Sequence, residues 1–430
     1  MVDPAPWQHG EVNITTPLRI AVWHNLPSGG GRRALHAHVS GLVGRGHHVE
    51  IWCPERLDDH FLPLGDLAPE HVVPLLPRAP KNALREAVEV LRGKRSDVAA
   101  MDHHCRLCAE HIAAAGCDVL FANTSRDFAV TAIGRFIDLP RVLYLQEPLR
   151  ELYEASPDLP WSTPDPGTDP SPPRGRPHAL RHALRVRKLG VLVREEQKNA
   201  RAFDRILVNS FYSRESVLRA YGLEASVCYL GVDTKRFRDL GLERERMAIG
   251  VGAIVPAKAV ERAIEALAVL GDDRPRLLWI GNVCDDNYRR RLEGLATRCG
   301  VDLELKIDVS EDVLIESLNR ASVMLYTPRL EPFGFAPLEA SACGLPVVGV
   351  REGGVRETVS HGHTGYLADV GPQSLGAALT KIVSDPELGR RLGTNGRRWV
   401  TEHWTADHLT TRLEEHLVDA VGRDGPEPKP

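Results

Sequence analysis

The chain is poor in lysine and contains no long hydrophobic run. Its 430 residues include nine lysines against 45 arginines, and the formal net charge is −4 with histidine neutral. This near balance excludes a protein that binds a polyanion over its whole surface. No stretch approaches the roughly 18 consecutive apolar residues of a membrane span, and residues 1–17 lack the apolar core of a secretory signal.

Cysteine is also sparse and scattered along the chain, which is typical of reduced thiols, so we expect a cytoplasmic protein. Hydrophobic residues make up 43% of the sequence, which is enough to exclude disorder over the whole chain. At about 150 residues per domain, the length predicts two or three domains. The eight cysteines are Cys53, Cys105, Cys108, Cys117, Cys228, Cys284, Cys299 and Cys343.

Short apolar runs alternate with helical patterns through both halves of the chain. Such alternation predicts parallel strands joined by right-handed helical crossovers. In the first half, the predicted strands are 19–23, 48–52, 118–122, 141–145 and 205–209. In the second half they are 247–255, 276–281, 303–307, 323–327 and 346–350. Two α/β series predict two Rossmann-like domains with parallel sheets that face each other across a cleft. We place them at 1–235 and 236–398, followed by a final helix over 399–421.

Three segments depart from this alternation. Residues 156–177 contain eight prolines, which exclude regular structure and predict a flexible loop. Residues 174–201 carry nine arginines or lysines against two glutamates on a helical pattern. We favour packing of the leucines in this helix against the N-terminal domain; the alternative is weak peripheral contact with anionic lipids at a membrane surface. We expect the tail, 422–430, to be disordered.

The segment from Glu331 to Glu339 is the strongest functional signal. It reads Glu-Pro-Phe-Gly-Phe-Ala-Pro-Leu-Glu, follows a predicted strand and opens a helix. Pro337 suits the first helical position, so Glu339 is expected in the first turn. The carboxyl ends of parallel strands are where α/β sheets bind ligands, and a helix N-terminus offers free N–H groups to an anion. Alternatively, Glu339 only complements the helix dipole.

Three further motifs accompany this segment. They are the turn 27–33, which reads Pro-Ser-Gly-Gly-Gly-Arg-Arg, the segment 251–258, and the segment 352–366. In this order, over nearly the whole chain, the motifs resemble family 4 of the retaining glycosyltransferases, which have the GT-B fold. The resemblance implies an acceptor-binding N-terminal domain and a C-terminal domain that binds a nucleotide-diphosphate sugar. It also implies that the final helix crosses back to the N-terminal domain.

The resemblance implies a donor site centred on Glu339. This residue would hold the ribose hydroxyls, because a carboxylate accepts two hydrogen bonds from a vicinal diol. Backbone N–H groups of Phe333, Gly334 and Phe335 would lie along the sugar and the distal phosphate. Glycines lack a Cβ atom and let the backbone approach the phosphates. The remaining donor-binding positions implied are Gly30, Gly31, Arg32 and Gly252.

The resemblance also implies catalytic roles for Lys258, which would pair with the diphosphate, and Glu331, which would face the donor sugar. Fixed cations and backbone donors aimed at the leaving group stabilise its developing charge. We therefore expect front-face, retaining transfer that needs no metal and no cofactor. Both assignments have less specific alternatives. Lys258 could be an ordinary surface lysine, and Gly353 and Gly354 could form a simple turn.

Two positions depart from the family pattern. Members usually carry arginine where this chain has Ala253, so one phosphate cation is missing; Arg32, Arg33, Arg329 and Arg351 are possible replacements. Members often carry histidine where this chain has Gln146. Glutamine cannot shuttle a proton but can bind a sugar hydroxyl. Gln146 or Glu147 is expected to serve at that catalytic position.

A separate segment carries metal-ligand residue types. His103, Cys105, Cys108 and His111 have metal-like spacing. The motif also includes His104. It lies on a predicted amphipathic helix, where the two cysteines and Ile112 trace an apolar stripe. We favour the interpretation that this stripe belongs to the core.

The sequence therefore predicts a glycosyltransferase that uses a UDP-, GDP-, ADP- or TDP-sugar and a small-molecule, glycan or lipid-linked acceptor. No nucleic acid is expected as a partner, because the basic segment contains few aromatic residues. Two alternatives stay open. One is a catalytically impaired sugar-nucleotide-binding partner protein, which Ala253 and Gln146 motivate. The other is a different GT-B enzyme, such as an epimerase.

Overall fold

The computed structural model describes residues 16–54, 61–75, 95–126, 128–154 and 176–422, which form two compact units. The C-terminal unit comprises residues 209–213 and 229–411. The N-terminal unit comprises the described residues up to 208, together with 214–228 and 412–422. The chain therefore passes between the units more than once, because 209–213 belong to the C-terminal unit and 214–228 to the N-terminal unit. The domain bounds and the acceptor- and donor-binding roles of the domains stay predictions.

The N-terminal unit is built on a parallel sheet. Its seven described strands are ordered β3-β2-β1-β4-β5-β6-β7. They are β1 (Arg19–Asn25), β2 (His48–Cys53), β3 (Glu70–Val72), β4 (Val119–Ser125), β5 (Arg141–Tyr144), β6 (Arg205–Val208) and β7 (Ser226–Val227). The central strands read as continuous apolar runs because helices cover both faces; Ile20 to Trp23, for example, are fully buried. The described helices are Gly30–Gly44, Ser96–Ala115, Arg150–Tyr153, Arg176–Ala200 and Phe211–Tyr221.

The C-terminal unit has a second parallel sheet. Its six described strands are ordered β10-β9-β8-β11-β12-β13. They are β8 (Met247–Val251), β9 (Arg276–Gly281), β10 (Leu303–Ile307), β11 (Val323–Tyr326), β12 (Val347–Val350) and β13 (Gly365–Ala368). The described helices are Val260–Ala268, Asp286–Cys299, Glu311–Arg320, Phe335–Ala342, Val355–Thr358, Pro372–Val383 and Pro386–His403. The predicted α/β class with two Rossmann-like parallel sheets is confirmed.

The helix predicted over 399–421 is two helices in the structure. The first ends at His403, and the second spans Ala406–Gly422. Between them the backbone pairs with Val232, whose N–H donates to the carbonyl of Trp404 at 2.7 Å, and a Cβ atom on Gly231 would lie 2.1 Å from the carbonyl oxygen of Thr405. The helical pattern is therefore interrupted by a contact more than 170 residues away in sequence, which the local pattern does not contain.

The end of the chain completes the N-terminal unit. Glu414 is buried and accepts hydrogen bonds from Arg45 and from His47, whose Nε2 lies 2.9 Å from the carboxylate. The backbone N–H of Leu18 donates to Nδ1 of the same ring, which leaves Nε2 as the donor to Glu414. This arrangement joins the last helix to the start of β2.

The basic segment is helical over Arg176–Ala200, and Leu189 and Leu192 contribute to the core of the N-terminal unit. The predicted loop at 156–177 lies outside the described residues except for Arg176 and Pro177, which are helical. Proline is tolerated there because the first N–H groups of a helix have no intrahelical acceptor. Of the predicted tail, 423–430 lie outside the described residues. Among the described helices, none combines the length and the apolarity needed to cross a bilayer.

Candidate active site

Lys258 and Glu331 form an ion pair at the carboxyl edge of the C-terminal sheet. The lysine Nζ lies 2.8 Å from both carboxylate oxygens, and the two side chains are 26% and 21% exposed, so the pair borders solvent. Lys258 ends a short turn after β8, and Glu331 follows β11. Since β8 and β11 are neighbours in the sheet, their exit loops leave the same edge. The structure therefore brings together two residues that are 73 positions apart in sequence.

Each member of this pair has a strained neighbour. Ala259 has a φ of 50° and Leu330 a φ of 46°, in the left-handed region. For a residue with a Cβ atom this conformation costs roughly 1–2 kcal/mol. Such strain persists where the surrounding structure fixes the backbone, and it concentrates at functional sites. The two left-handed residues direct the exit loops so that the charged side chains meet.

Gly353 and Gly354 pack directly against the backbone of the loop that carries Glu331. A Cβ atom on Gly353 would lie 2.3 Å from the carbonyl oxygen of Glu331, and one on Gly354 would lie 2.1 Å from that of Pro332. The N–H of Gly354 donates to the Glu331 carbonyl at 2.8 Å. These glycines therefore form more than a turn, because they hold the loop that carries Glu331.

The helix that follows Glu331 begins without a side-chain cap. Its N-cap is Gly334, in a left-handed conformation with φ 105°, and its first residue is Phe335. In the same unit, the helices that begin at Asp286, Glu311 and Pro386 are capped by the side chains of the residues before them. The N–H groups at the start of the 335–342 helix are therefore not satisfied by a cap, and an anion could accept from them.

Glu339 lies two residues further along this helix than the sequence predicts. The helix starts at Phe335, so Pro337 is its third residue and Glu339 its fifth. The prediction that proline marks the first position is wrong, because all N–H groups of the first turn lack an intrahelical acceptor and any of them can be lost without cost. Glu339 is only 4% exposed. The role of Glu339 in holding the ribose hydroxyls stays a prediction.

The side chain of Phe333 is part of the core. It is 4% exposed and packs against the rings of Tyr229 and Trp404, with ring centroids 6.5 and 5.8 Å away. Only its backbone is then suited to the predicted role along the donor sugar. The roles proposed for the N–H groups of Phe333, Gly334 and Phe335 stay predictions.

Gly252 lies beside the lysine of the ion pair. It has a φ of 150°, and a Cβ atom there would lie 3.6 Å from Lys258 Cδ. Its carbonyl accepts from the indole N–H of Trp279 at 2.8 Å. The predicted donor-binding residues Gly252, Lys258 and Glu331 thus form one cluster.

Two of the arginines expected to replace the cation missing at position 253 already have partners in the structure. Arg329 pairs with Glu352 at 3.1 Å, and Arg351 donates to the carbonyl of Leu367 at 2.9 Å. A further arginine, Arg262, was missed by the sequence motifs. Its Nη1 is buried and has no hydrogen-bond partner among the described residues. Burial and the neighbouring Arg329 lower the pKa of Arg262.

In the N-terminal unit, the Gly-rich turn meets the segment after β5. A Cβ atom on Gly31 would lie 3.0 Å from Nε2 of Gln146 and 3.3 Å from Cδ2 of Leu26. The N–H of Gln146 donates to Thr124 Oγ1 at 3.3 Å. Gly30, by contrast, has no neighbouring atom within 4 Å of such a Cβ position. The structure therefore brings the predicted residues Gly31 and Gln146 together beside an open helix N-terminus.

Glu147 is held by an ion pair. Its Oε2 accepts a hydrogen bond from Nε of Arg150. The prediction that Gln146 or Glu147 serves at the position where the family often carries histidine stays open.

Arg32 points into the interior of the N-terminal unit. The residue is 5% exposed, its Nη1 lies 3.4 Å from His24 Nε2, and its Nε donates to the Leu62 carbonyl at 3.4 Å. Burial lowers the pKa of His24, the hydrogen bond with Glu70 opposes this shift, and the charge on Arg32 adds to it. The predicted phosphate-binding role of Arg32 stays a prediction.

The metal-like motif on the helix Ser96–Ala115 comes together only in part, with His104 Nε2 3.4 Å from Cys108 Sγ. Cys105 and Cys108 are buried, whereas His103 and His111 are exposed on the other side of the helix. Burial raises the pKa of the Cys105 thiol to about 12, so it is not a ready ligand. These two cysteines and Ile112 belong to the core of the N-terminal unit.

Similarity to known proteins covers both units. Residues 232–399 match the family described as glycosyl transferases group 1. D-inositol 3-phosphate glycosyltransferase of Streptomyces bingchenggensis is 30% identical over 224 residues, which are 46% of this chain and 49% of the relative. GDP-mannose-dependent alpha-(1-6)-phosphatidylinositol monomannoside mannosyltransferase of Mycobacterium tuberculosis is 31% identical over 233 residues, 48% and 60% of the two chains. The chain thus spans about half the length of these curated relatives.

Two solved structures share the fold. HepE of Anabaena, solved with UDP and glucose, has a TM-score of 0.68 and 17% identity, covering 94% of this chain and 100% of HepE. Sucrose-phosphate synthase from Thermosynechococcus elongatus has a TM-score of 0.65 and 18% identity, covering 94% and 98%. The chain therefore has the predicted GT-B fold, and its residues 232–399 resemble the group 1 glycosyl transferases.

Proposed function

Since residues 232–399 match the group 1 glycosyl transferases, we propose that the chain is a retaining glycosyltransferase that moves a sugar from a nucleotide-diphosphate donor to an acceptor hydroxyl. The observation that carries this proposal is the convergence of Lys258, Glu331 and the uncapped helix 335–342 at one edge of the C-terminal sheet. An ammonium and uncapped helix N–H groups can bind a diphosphate, and a carboxylate can accept hydrogen bonds from sugar hydroxyls.

In the proposed donor complex, the nucleotide binds through its ribose diol to Glu339. The buried position of this carboxylate supports that role, since a desolvated acceptor makes strong, specific hydrogen bonds to a diol. The diphosphate lies at the start of the 335–342 helix and beside Lys258, with Gly252 leaving space for it. Glu331 then faces the sugar.

Catalysis in this proposal is electrostatic. The sugar carbon becomes oxocarbenium-like while the diphosphate leaves with growing negative charge. Lys258 and the backbone N–H groups stabilise that charge, because they are fixed in place before the reaction. The acceptor attacks from the face that the diphosphate leaves, so the anomeric configuration is retained. The leaving group is neutralised without a metal ion, and no cofactor takes part.

The proposed acceptor is a small molecule, a glycan or a lipid-linked sugar, bound by the N-terminal unit. One relative is named for inositol phosphate and another for a phosphatidylinositol mannoside, which supports a polyol or glycolipid acceptor. Gln146 and the Gly-rich turn mark the surface that would face it. We propose that the protein works in the cytoplasm, where nucleotide sugars are made.

The first test is a thermal-shift screen with UDP, GDP, ADP and TDP. A nucleotide that binds only the folded chain raises the midpoint of unfolding, and HepE with UDP and the GDP-mannose-dependent relative make UDP and GDP the leading candidates. Glu339→Gln should reduce the shift at a given nucleotide concentration, while Glu293→Gln, at an exposed helical position, should keep it. A screen in which none of the four nucleotides stabilises the chain would contradict the proposal.

The second test is turnover. The matching UDP- or GDP-sugar should be consumed with release of the nucleoside diphosphate in metal-free buffer, and added Mg²⁺ or Mn²⁺ should change the rate by less than about twofold. Tight nucleotide binding without turnover on any acceptor would favour a binding protein that has lost catalysis. Ala253 and Gln146, which replace a cation and a proton-shuttling group, are the observations that favour this second candidate.

A further inference from the structure

Three ligand-type side chains of the N-terminal unit converge on one face of its sheet. The register places Trp23 opposite Trp52 in β1 and β2. The next residue of each strand, His24 and Cys53, therefore projects from the other face, because side chains alternate along a strand. Glu70, the first residue of β3, joins them from the adjacent strand.

The spacing of these three groups is close to that of a tetrahedral metal site, with a small contraction needed to reach it. Oε1 of Glu70 lies 3.6 Å from Cys53 Sγ and 3.9 Å from His24 Nε2, and the three ligand atoms all lie within 4.8 Å of one another. Ligands that bind Zn²⁺ at about 2.0–2.3 Å in a tetrahedron stand roughly 3.3–3.8 Å apart. The side chains of His24 and Glu70 are 3% and 6% exposed, and Cys53 is fully buried.

We propose that His24, Cys53 and Glu70 form a binding site for a divalent transition metal of the zinc type. One imidazole nitrogen, one thiolate sulfur and one carboxylate oxygen make a borderline-soft donor set, which favours Zn²⁺ over Mg²⁺ or Ca²⁺. The fourth position is left to water or to another ligand. The site joins the ends of β1 and β2 to the start of β3.

Arg32 competes with the metal for this cluster. Its Nη1 lies 3.4 Å from His24 Nε2, so the guanidinium places positive charge beside the nitrogen that would bind the metal. A metal ion at the cluster repels this guanidinium, so binding requires Arg32 to turn away. Removal of Arg32 should therefore tighten metal binding. If the three residues form only a hydrogen-bonded cluster that Arg32 stabilises, its removal should not produce metal binding.

This inference is independent of the proposed transfer reaction. All of its residues belong to the N-terminal unit, whereas the ion pair and the helix that carry the donor proposal belong to the C-terminal unit. Its test uses metal binding and not activity, so the two proposals can fail separately.

The experiment is a Co²⁺ titration of the reduced full chain, monitored by the thiolate-to-cobalt charge-transfer absorption. Zn²⁺ is then added to displace the bound Co²⁺. Wild type should bind one ion per chain and release a proton, since the thiol must ionise. Cys53→Ser should lose the absorption, whereas Cys343→Ser, which removes a buried thiol of the other unit, should keep it. Glu70→Gln should weaken binding about tenfold or more, and Arg32→Ala should tighten it several-fold.

Three results would overturn the proposal. One is the lack of charge-transfer absorption in both wild type and Arg32→Ala at excess Co²⁺. Another is an absorption that persists in Cys53→Ser, which would place the ion on a different thiol. The third is unchanged or weaker binding in Arg32→Ala. Circular dichroism of each variant shows that it is folded, and if Cys53→Ser does not fold, Glu70→Gln decides the question.

Discussion

The ammonium of Lys258 is shared between the two carboxylate oxygens of Glu331, 2.8 Å from each. This geometry keeps both side chains extended over the edge of the sheet before any donor arrives. A lysine already fixed beside the site needs no reorganisation when charge develops on a leaving diphosphate.

We predict that Lys258→Ala lowers kcat by roughly a hundredfold or more and changes KM by less, because the lysine acts most strongly on the charge that grows in the transition state. Steady-state kinetics with the donor varied test this. Lys306→Ala, which removes a lysine from the edge strand β10, is the matched control. A kcat that falls equally in both variants would remove Lys258 from the mechanism.

Glu339→Gln should weaken binding of the matching nucleoside diphosphate by about 1.5–3 kcal/mol, the typical cost of losing a charged hydrogen-bond acceptor. Glutamine preserves the shape of the buried side chain, so the loss reports charge and hydrogen bonding rather than a cavity. Isothermal titration calorimetry gives the affinity, and Glu293→Gln serves as control. Equal affinities for wild type and Glu339→Gln would mean that the residue only supports the helix.

Ala259→Gly should raise the free energy of unfolding by up to about 1 kcal/mol. Glycine removes the left-handed strain of roughly 1–2 kcal/mol but costs about 0.5–1 kcal/mol through the freedom it adds to the unfolded chain. The control Ala266→Gly, in the middle of a helix, should lower stability by about 1 kcal/mol or more. Denaturant unfolding measures both. A loss of stability in Ala259→Gly as large as in the control would show that no strain is stored there.

His38 should destabilise the folded chain in acid. Its ring is fully buried between Phe121 and Tyr144, neither nitrogen has a hydrogen-bond partner among the described residues, and burial lowers its pKa to about 3. Below pH 6.5 this histidine binds a proton in the unfolded state but not in the folded state. The free energy of unfolding therefore falls as the pH drops from 6.5 towards 3. His38→Leu should remove this part of the decline, on the order of several kcal/mol at pH 3. Parallel pH–stability profiles of wild type and variant would refute this prediction.

Glu196 should act in the opposite direction. It is fully buried, accepts hydrogen bonds from the N–H of Ala129 and the hydroxyl of Tyr221, and burial raises its pKa to about 7. Between pH 4.5 and 7 the folded state holds a proton that the unfolded state has lost, so stability decreases as the pH rises through this range. Glu196→Gln keeps both contacts and should be the more stable protein above pH 7, by an amount on the order of 3 kcal/mol. Guanidinium unfolding at pH 5 and pH 8 measures the effect, and a gain of equal size at both pH values would contradict it.

Much of the fold could be predicted from the sequence, because the central strands of both sheets are continuous apolar runs with helical patterns between them. The strands that the sequence did not predict are short and lie towards the sheet edges: β3, β7 and β13. β3 and β7, with three and two residues, have too few side chains to show a period. The break at Trp404 was equally hidden, because its cause is a backbone pairing with Val232 rather than any local breaker.

The candidate site was predictable where its residues follow one another in a motif, as from Glu331 to Glu339. The helix start was not, because proline fits every position of the first turn and so does not mark which is first. The cluster of His24, Cys53 and Glu70 carries no spacing signal at all. Its members sit on three strands, and only the strand order and register bring them together.

The pairing of Val232 with the segment at Trp404 and the burial of Glu414 against Arg45 and His47 have a consequence for biosynthesis. The ribosome delivers the beginnings of both units long before the residues that complete them. The C-terminal unit cannot form the pairing with Val232, and the N-terminal unit cannot bury Glu414, until these later residues have left the ribosome. A fragment that stops at residue 399, where the family match ends, should therefore depend on chaperones and be degraded quickly in cells.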